Sequence, residues 1–291
     1  MIRTTIAAVL VTVTTLTTHP AFAASAAPIA VEQAAAPTAT TPPVDSMDAA
    51  YFKGYATDAG KIITAPLRWE PKDWIKFSLV VGGTGALLLA DKEIKEFSQR
   101  NRSTAAGGFA HVGNAIGDPL VVLPAAGAFY LYGRLADDSR VRRTSLLALE
   151  SLVMSGALTE GIKRLAGRPR PEAGEAAGTW HGPSLDKRYV SFSSGHTANA
   201  FAVATVVANE YGDVPYVAPT AYSLATLTAL SRIYSNKHWA SDTLFGAAIG
   251  HFVSKAVLSY HKEDKNQLAK RLSIAPQVGR DMTGVTVSYQ F

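Results

Sequence analysis

The residues best equipped for chemistry lie between Ser231 and Asp242, where the chain reads Ser-Arg-Ile-Tyr-Ser-Asn-Lys-His-Trp-Ala-Ser-Asp. If the chain is helical from His238 onward, an i,i+4 spacing puts His238 and Asp242 on one face. The carboxylate then holds one imidazole nitrogen and leaves the other free to attack. Arg232 lies too far back to share that face on a continuous helix, but Tyr234-Ser235-Asn236 offers a turn that brings its guanidinium beside the ring. A planar, permanently charged fork next to an oriented histidine suits an anion, above all phosphate.

Two upstream segments supply what this pair lacks. Lys163 and Arg170-Pro171 fall within Lys-Arg-Leu-Ala-Gly-Arg-Pro-Arg-Pro, and Ser193-Ser194-Gly195-His196-Thr197 sets a histidine where a helix begins. Gly195 lets the backbone approach an oxygen closely. Together the segments provide Lys163, Arg170 and Arg232 as cations, Ser194 and the Gly195 amide as small donors, and two histidines. The equatorial oxygens of a transferring phosphoryl group stay negative through the transition state, so a site working without metal must surround them with fixed cations and donors. His238 as nucleophile splits the reaction into two steps through a phosphohistidine. Asp242 holds its tautomer, and His196 protonates the leaving oxygen and later activates water.

The order Lys-x6-Arg-Pro, Ser-Gly-His, Ser-Arg-x5-His-x3-Asp, spanning Lys163 to Asp242, resembles the three-part signature of the type 2 phosphatidic-acid phosphatase and vanadium haloperoxidase superfamily, which includes the bacterial class A acid phosphatases. The resemblance implies that Lys163, Arg170, Ser194, Gly195 and Arg232 cradle the phosphate, that His196 is the acid/base, and that His238 is the nucleophile supported by Asp242. It also implies no required metal; no cofactor is expected, and vanadate, a trigonal-bipyramidal mimic of the transition state, is expected to bind as an inhibitor. One departure is Ser193, which stands where the family often has Pro before Ser-Gly-His.

The elements that must position these residues read as an all-α bundle of about six core helices. They are expected over Lys72–Phe97, Pro119–Tyr132, Thr144–Leu165, Thr197–Tyr211, Val217–Ser231 and Ala240–His261. Their uncharged runs are about 14 to 18 residues, short of the roughly 20 that cross a bilayer, which favours a soluble or peripherally attached bundle. Gly82-Gly83-Thr84-Gly85 lies inside an apolar helix and reads as close helix packing, not a phosphate loop. The Gly-rich stretch from Glu172 to Arg188 reads as a mobile loop over the pocket. Trp239 and Tyr234 flank the nucleophile and suit either pocket lining or core. His111, His181, His251 and His261 match no motif, and Glu150 and Glu160 read as partners of nearby basic residues.

At the N-terminus, Arg3, the apolar run Ile6–Val13 and Ala21-Phe22-Ala23 have the three parts of a secretory signal over residues 1–23. An Ala/Pro/Thr-rich linker follows over 24–46, then a helical domain over 47–263 and a tail over 264–291. In the tail, Val285, Val287, Tyr289 and Phe291 share one face of a short extended strand. The chain contains no cysteine, which removes disulfides, thiolate zinc sites and cysteine nucleophiles. The net charge of +5 is scattered, with no basic stripe interleaved with aromatics, so nucleic acid is not an expected partner.

These readings converge on an exported, periplasmic or envelope-associated phosphatase acting on phosphomonoesters or lipid phosphates, with an integral membrane location left open. The alternatives are a vanadate-dependent haloperoxidase using the same anion pocket and a non-catalytic phospholipid-binding envelope protein. A membrane surface is the other partner the apolar helices allow, and the sequence carries no sign of oligomeric state.

Overall fold

The computed structural model describes residues 45–262, 272–278 and 283–289. The expected signal (1–23) lies outside the described residues, as does the linker except at its last two positions. The chain divides into a helical unit ending at His261 and a second unit that contains a C-terminal hairpin.

The helical unit has eight described α-helices instead of the six expected: α1 (Ala49–Ile63), α2 (Pro71–Arg100), α3 (Thr104–Gly117), α4 (Pro119–Leu135), α5 (Ser139–Ala166), α6 (Gly195–Glu210), α7 (Val217–Tyr234) and α8 (Ala240–Tyr260). The two unforeseen helices, α1 and α3, hide behind weak local propensity. In α3, glycines at 107, 108, 113 and 117 obscure the helical signal. The Ser103 side chain caps its first turn, and glycines 113 and 117 let it pack directly on Ser231 and Thr228 of α7. In α1, aromatics and glycines obscure a helix that starts from an Asp48 cap. His261 follows α8 and ties it to α1 and α5, contacting Asp58 at 3.2 Å and Glu150 at 2.9 Å.

The core helices are α5, α6 and α8. Leu147, Val206, Ile249, Val253 and Val257 form their shared apolar core. Small residues draw α8 against α6: a Cβ at Gly246 would strike the Ser194 carbonyl, and one at Gly250 the Ala198 carbonyl. This close approach brings the first turns of both helices together, where Ser194 N–H donates to the Asp242 carbonyl at 3.0 Å.

The outer helices leave large apolar side chains uncovered. On α2, Ile75, Leu79, Leu89 and Phe97 are exposed, and on α4 Leu120, Leu131 and Leu135. Two stretches, Pro71–Arg100 and Ser139–Ala173, are long and apolar enough to cross a membrane, and α3 with α4, bent by 60°, makes a third if the pair is one span. The described helices are thus longer and more apolar than the expectation of a soluble or peripherally attached bundle allowed, and at least two of them have the length and composition to span a membrane. Counting only uncharged residues understated these helices, because their few charges do not interrupt them. The glycine run in α2 is only partly a packing device: Gly83 faces Leu244 of α8, whereas Gly82 and Gly85 meet open space.

The terminal strand has a partner. β1 (Leu272–Val278) and β2 (Thr283–Tyr289) pair antiparallel with Ile274 opposite Val287. Pro276 in the first run disguised it, since proline lowers the strand signal.

Candidate active site

The three sequence segments meet at one cavity of about 410 Å³. Lys163 reaches it from the last turn of α5, Arg170 from the extended segment that follows, Gly195 and His196 from the first turn of α6, Arg232 from the end of α7, and His238 from the turn before α8. Ser194 and Asp242, the other two expected site residues, lie wholly buried behind the lining. Thr159 and Asn199 join the lining and were not foreseen.

Each position has a local cause. Helix α5 stops at Gly167, whose φ of 59° is the left-handed cap conformation that glycine adopts without strain. The chain then turns into Arg168-Pro169-Arg170. Ser194 is the N-cap of α6, its hydroxyl accepting from Thr197 Oγ1 at 2.9 Å. Its side chain therefore holds the helix start, and what reaches the cavity beside it is Gly195, at a helix N-terminus suited to an anion. A Cβ at Gly195 would come 3.2 Å from the Lys163 ammonium. Arg232 is steadied by Asn114 of α3, whose Oδ1 accepts from Nη1 at 2.7 Å.

The turn after α7 does what its residues suggest. Helix α7 ends at Tyr234, and Asn236 takes a φ of 58°, a left-handed conformation that asparagine tolerates. The chain returns so that His238 N–H donates to the Arg232 carbonyl at 3.3 Å. The expected helical face for His238 and Asp242 needs correction, however. His238 precedes the helix, and Asp242 reaches back to it from the first turn of α8, with Oδ2 3.5 Å from Nδ1. That separation is a close polar contact, longer than an ordinary hydrogen bond.

Asp242 is fixed on every side. Its Oδ2 accepts from Ser191 Oγ at 2.6 Å and from Trp239 N–H at 2.9 Å, and its Oδ1 from Arg168 Nη1 at 2.5 Å. Arg168 was passed over in the sequence although it stands two residues before Arg170. The only available signal was a charged residue between a glycine and a proline in the same motif. Trp239 and Tyr234 are structural: the Trp239 indole donates to the Pro169 carbonyl at 3.0 Å, and the Tyr234 hydroxyl donates to the Ser103 carbonyl at 2.9 Å.

Burial makes both histidines weak bases. Desolvation, reinforced by nearby Arg232, lowers the His196 pKa to about 4. Desolvation also lowers that of His238 to about 4, against the opposing pull of Asp242. Both rings are neutral at neutral pH until an anion enters and raises their basicity. The Glu172–Arg188 segment, expected to cover the pocket, contributes no residue to its lining. It is tied down through bonds from Lys237 to Glu172 and Arg168 to the Ala177 carbonyl, and just before it Lys95 holds the Pro171 carbonyl. Among the unmatched residues, Glu160 pairs with Arg164, Glu150 with His261, and His181 with Glu175.

The helical unit gathers three cations, a helix N-terminus and two histidines around one cavity, an arrangement whose chemistry suits an anion such as phosphate. Residues 144–266 match the PAP2 superfamily. A lipid A 1-phosphatase of Porphyromonas gingivalis is 42% identical over 109 residues, which is 37% of this chain and 21% of that protein. The chain thus matches about a fifth of that relative's length. Among solved structures, Aquifex aeolicus LpxE aligns with a TM-score of 0.46 and 23% identity over 58% of this chain and 95% of that one. The first transmembrane PAP2-type phosphatidylglycerolphosphate phosphatase from Bacillus subtilis aligns with a TM-score of 0.45 and 20% identity, over 74% and 96% of the two chains.

Proposed function

We propose that this chain is a membrane-embedded phosphatase that removes phosphate from a lipid through a phosphohistidine on His238. The observation that carries the lipid reading is the two-sided lining of the cavity. Leu152, Val153, Gly156 and Ala157 line it along α5 before Thr159 and Lys163, and Pro119 and Leu123 of α4 face it too. From Leu152 to Lys163 the helix rises about 16 Å, so the lining passes from apolar to cationic along one helix. Leu123 and Val153 are also exposed at the bundle surface, where acyl chains can enter from a bilayer. A soluble ester would need no such wall.

The chemistry follows from the placement of atoms. Nδ1 of His238 faces Asp242, which leaves Nε2 to attack phosphorus. A P–N bond forms as the bond to the leaving oxygen breaks, and His196 passes to that oxygen a proton taken from the bound substrate monoanion. Lys163, Arg170, Arg232 and the Gly195 amide hold the equatorial oxygens. In the second step His196 takes a proton from water, the hydroxide attacks phosphorus, and the P–N bond breaks to release inorganic phosphate. Asp242 stabilises the charge that develops on the ring. This set supplies the positive charge a metal would otherwise bring, and we infer that none is required. The leader-like residues 1–23 support a site working outside the cytoplasm.

The test is phosphate release by detergent-solubilised protein from phosphatidic acid, polyprenyl phosphates, lipid A and soluble monoesters. Turnover of one lipid phosphate well above the soluble monoesters, lost in His238→Ala, is expected. Equal turnover of all substrates would contradict the lipid assignment, and an active His238→Ala protein the mechanism.

A further inference from the structure

We propose that Arg168 is a positioning residue for the His238–Asp242 pair and that Asp91 of α2 sets its orientation, so that an outer helix with an exposed apolar surface is linked to the nucleophile. The inference rests on the phosphatase reading above and adds a second layer behind the cavity.

Arg168 is completely buried. Its guanidinium lies between two carboxylates that are buried as well: Nη1 donates to Asp242 Oδ1 at 2.5 Å, and Nη2 to Asp91 Oδ2 at 2.7 Å. Nη1 also reaches Ser241 Oγ at 2.8 Å, and Nη2 the Ala177 carbonyl at 2.6 Å. The rings of Trp180 and Trp239 lie 4.9 and 5.3 Å from the guanidinium carbon. Asp91 also accepts from Ser241 N–H at 3.0 Å and from Ser241 Oγ at 2.5 Å, joining α2 to the first turn of α8.

A buried ion pair is a poor source of net stability, because the desolvation of its members can exceed their attraction. Its geometry here has a different consequence. Holding Oδ1 with a rigid fork, while Ser191 and the Trp239 amide hold Oδ2, leaves the Asp242 carboxylate no freedom to rotate away from His238. Lysine cannot reproduce this, since its ammonium is a point charge without the planar fork. The same guanidinium sets the electrostatics of the ring next door. The charged groups facing His238 are Asp242, Arg232 and Arg170, with His196 close by. Arg168 and Asp91 act on it through Asp242.

The experiment compares wild type, Arg168→Lys, Arg168→Gln and Asp91→Asn in detergent, using a soluble aryl phosphate over a pH series, with circular dichroism and thermal melting on each protein. Arg168→Lys is expected to lose about 100-fold in kcat, the scale of a misplacement of about 1 Å, with little change in KM. Arg168→Gln removes the positive charge, so His238 holds its proton to higher pH and the acidic limb of kcat/KM moves up. Asp91→Asn leaves Arg168 freer to neutralise Asp242, so the limb moves down. Opposite shifts in folded proteins support the proposal. Wild-type kcat in Arg168→Lys, unmoved limbs, or limbs moving the same way would overturn it, as would loss of fold in all three variants, which would assign the cluster to stability alone. A wild-type protein that releases no phosphate contradicts the phosphatase reading instead.

Discussion

Nδ1 of His238 and Oδ2 of Asp242 lie 3.5 Å apart, with the ring ahead of helix α8 and the carboxylate in its first turn. The helix start thus does two things at once: Asp242 caps the Trp239 amide and faces the imidazole. Asp242→Asn keeps the shape but removes the charge that stabilises an imidazolium. It is expected to lower kcat by about 10²- to about 10⁴-fold, while the melting temperature shows whether the fold survives the loss of the Arg168 pair. Unchanged kcat would remove Asp242 from the mechanism.

The pH dependence follows from the weakly basic histidines. His238 must be neutral to attack, and its pKa of about 4 sets the acidic limb of kcat/KM. Because burial leaves His196 unprotonated in the free protein near neutrality, the proton for the leaving group arrives with the substrate monoanion, which ionises near pH 6 (about the second phosphate pKa). The kcat/KM profile is therefore expected to peak on the acidic side of neutrality and fall as pH rises through that ionisation. A maximum at alkaline pH would contradict this division of protons.

Gly246 tests how close packing builds the site. A Cβ there strikes the Ser194 carbonyl, which belongs to neither a flexible side chain nor a movable loop. Gly246→Ala is expected to destabilise the folded protein by about 1–3 kcal/mol, read as a lower melting temperature, with weakened phosphate binding because α6 and α8 are pushed apart. An unaltered melting curve would show that the helices can yield.

On the proposed lipid reading, the apolar wall distinguishes lipid from soluble substrates. Val153→Glu places a charge among Leu123, Leu152 and Ala157, remote from Lys163 along α5. Lipid phosphate turnover is expected to fall by at least tenfold, about 1.4 kcal/mol, while an aryl phosphate is hydrolysed at close to the wild-type rate. Equal loss on both substrates would mean the wall serves only the fold.

Part of this arrangement was readable from residue types, because charged and titratable residues at close spacing stand out from an apolar helical background. Lys163, Arg170, Gly195, His196, Arg232 and His238 all reach one cavity, as their spacing implied. The turn expected at Tyr234-Ser235-Asn236 forms, with Asn236 at positive φ. Arg168 and Asp91 are not legible in the sequence because a buried ion pair between distant segments has no local periodicity; the two lie 77 residues apart. Helix α3 escaped because its stability comes from packing on α7, not from propensity. The exposed apolar surface of α2 and α4 does not show in the length of uncharged runs, since charges near helix ends leave that surface intact.

Metal independence and vanadate inhibition belong together. Lys163, Arg170 and Arg232 supply fixed charge around the phosphoryl oxygens, so chelator is expected to leave the rate unchanged. Vanadate, which adopts the trigonal-bipyramidal geometry of the transition state, is expected to inhibit competitively. Loss of activity in chelator, restored by a divalent ion, would overturn the metal-free mechanism.

The most direct measurement is capture of the covalent intermediate. An aryl phosphate with a good leaving group needs no acid in the first step, so His196→Ala protein should be phosphorylated quickly and then stall, because no base activates water. Alkaline quench followed by peptide mass spectrometry is expected to find one phosphoryl group on His238, accumulating in His196→Ala and absent from His238→Ala. Phosphate release without a phosphoryl group on His238, or turnover that persists in His238→Ala, would contradict the nucleophile assignment.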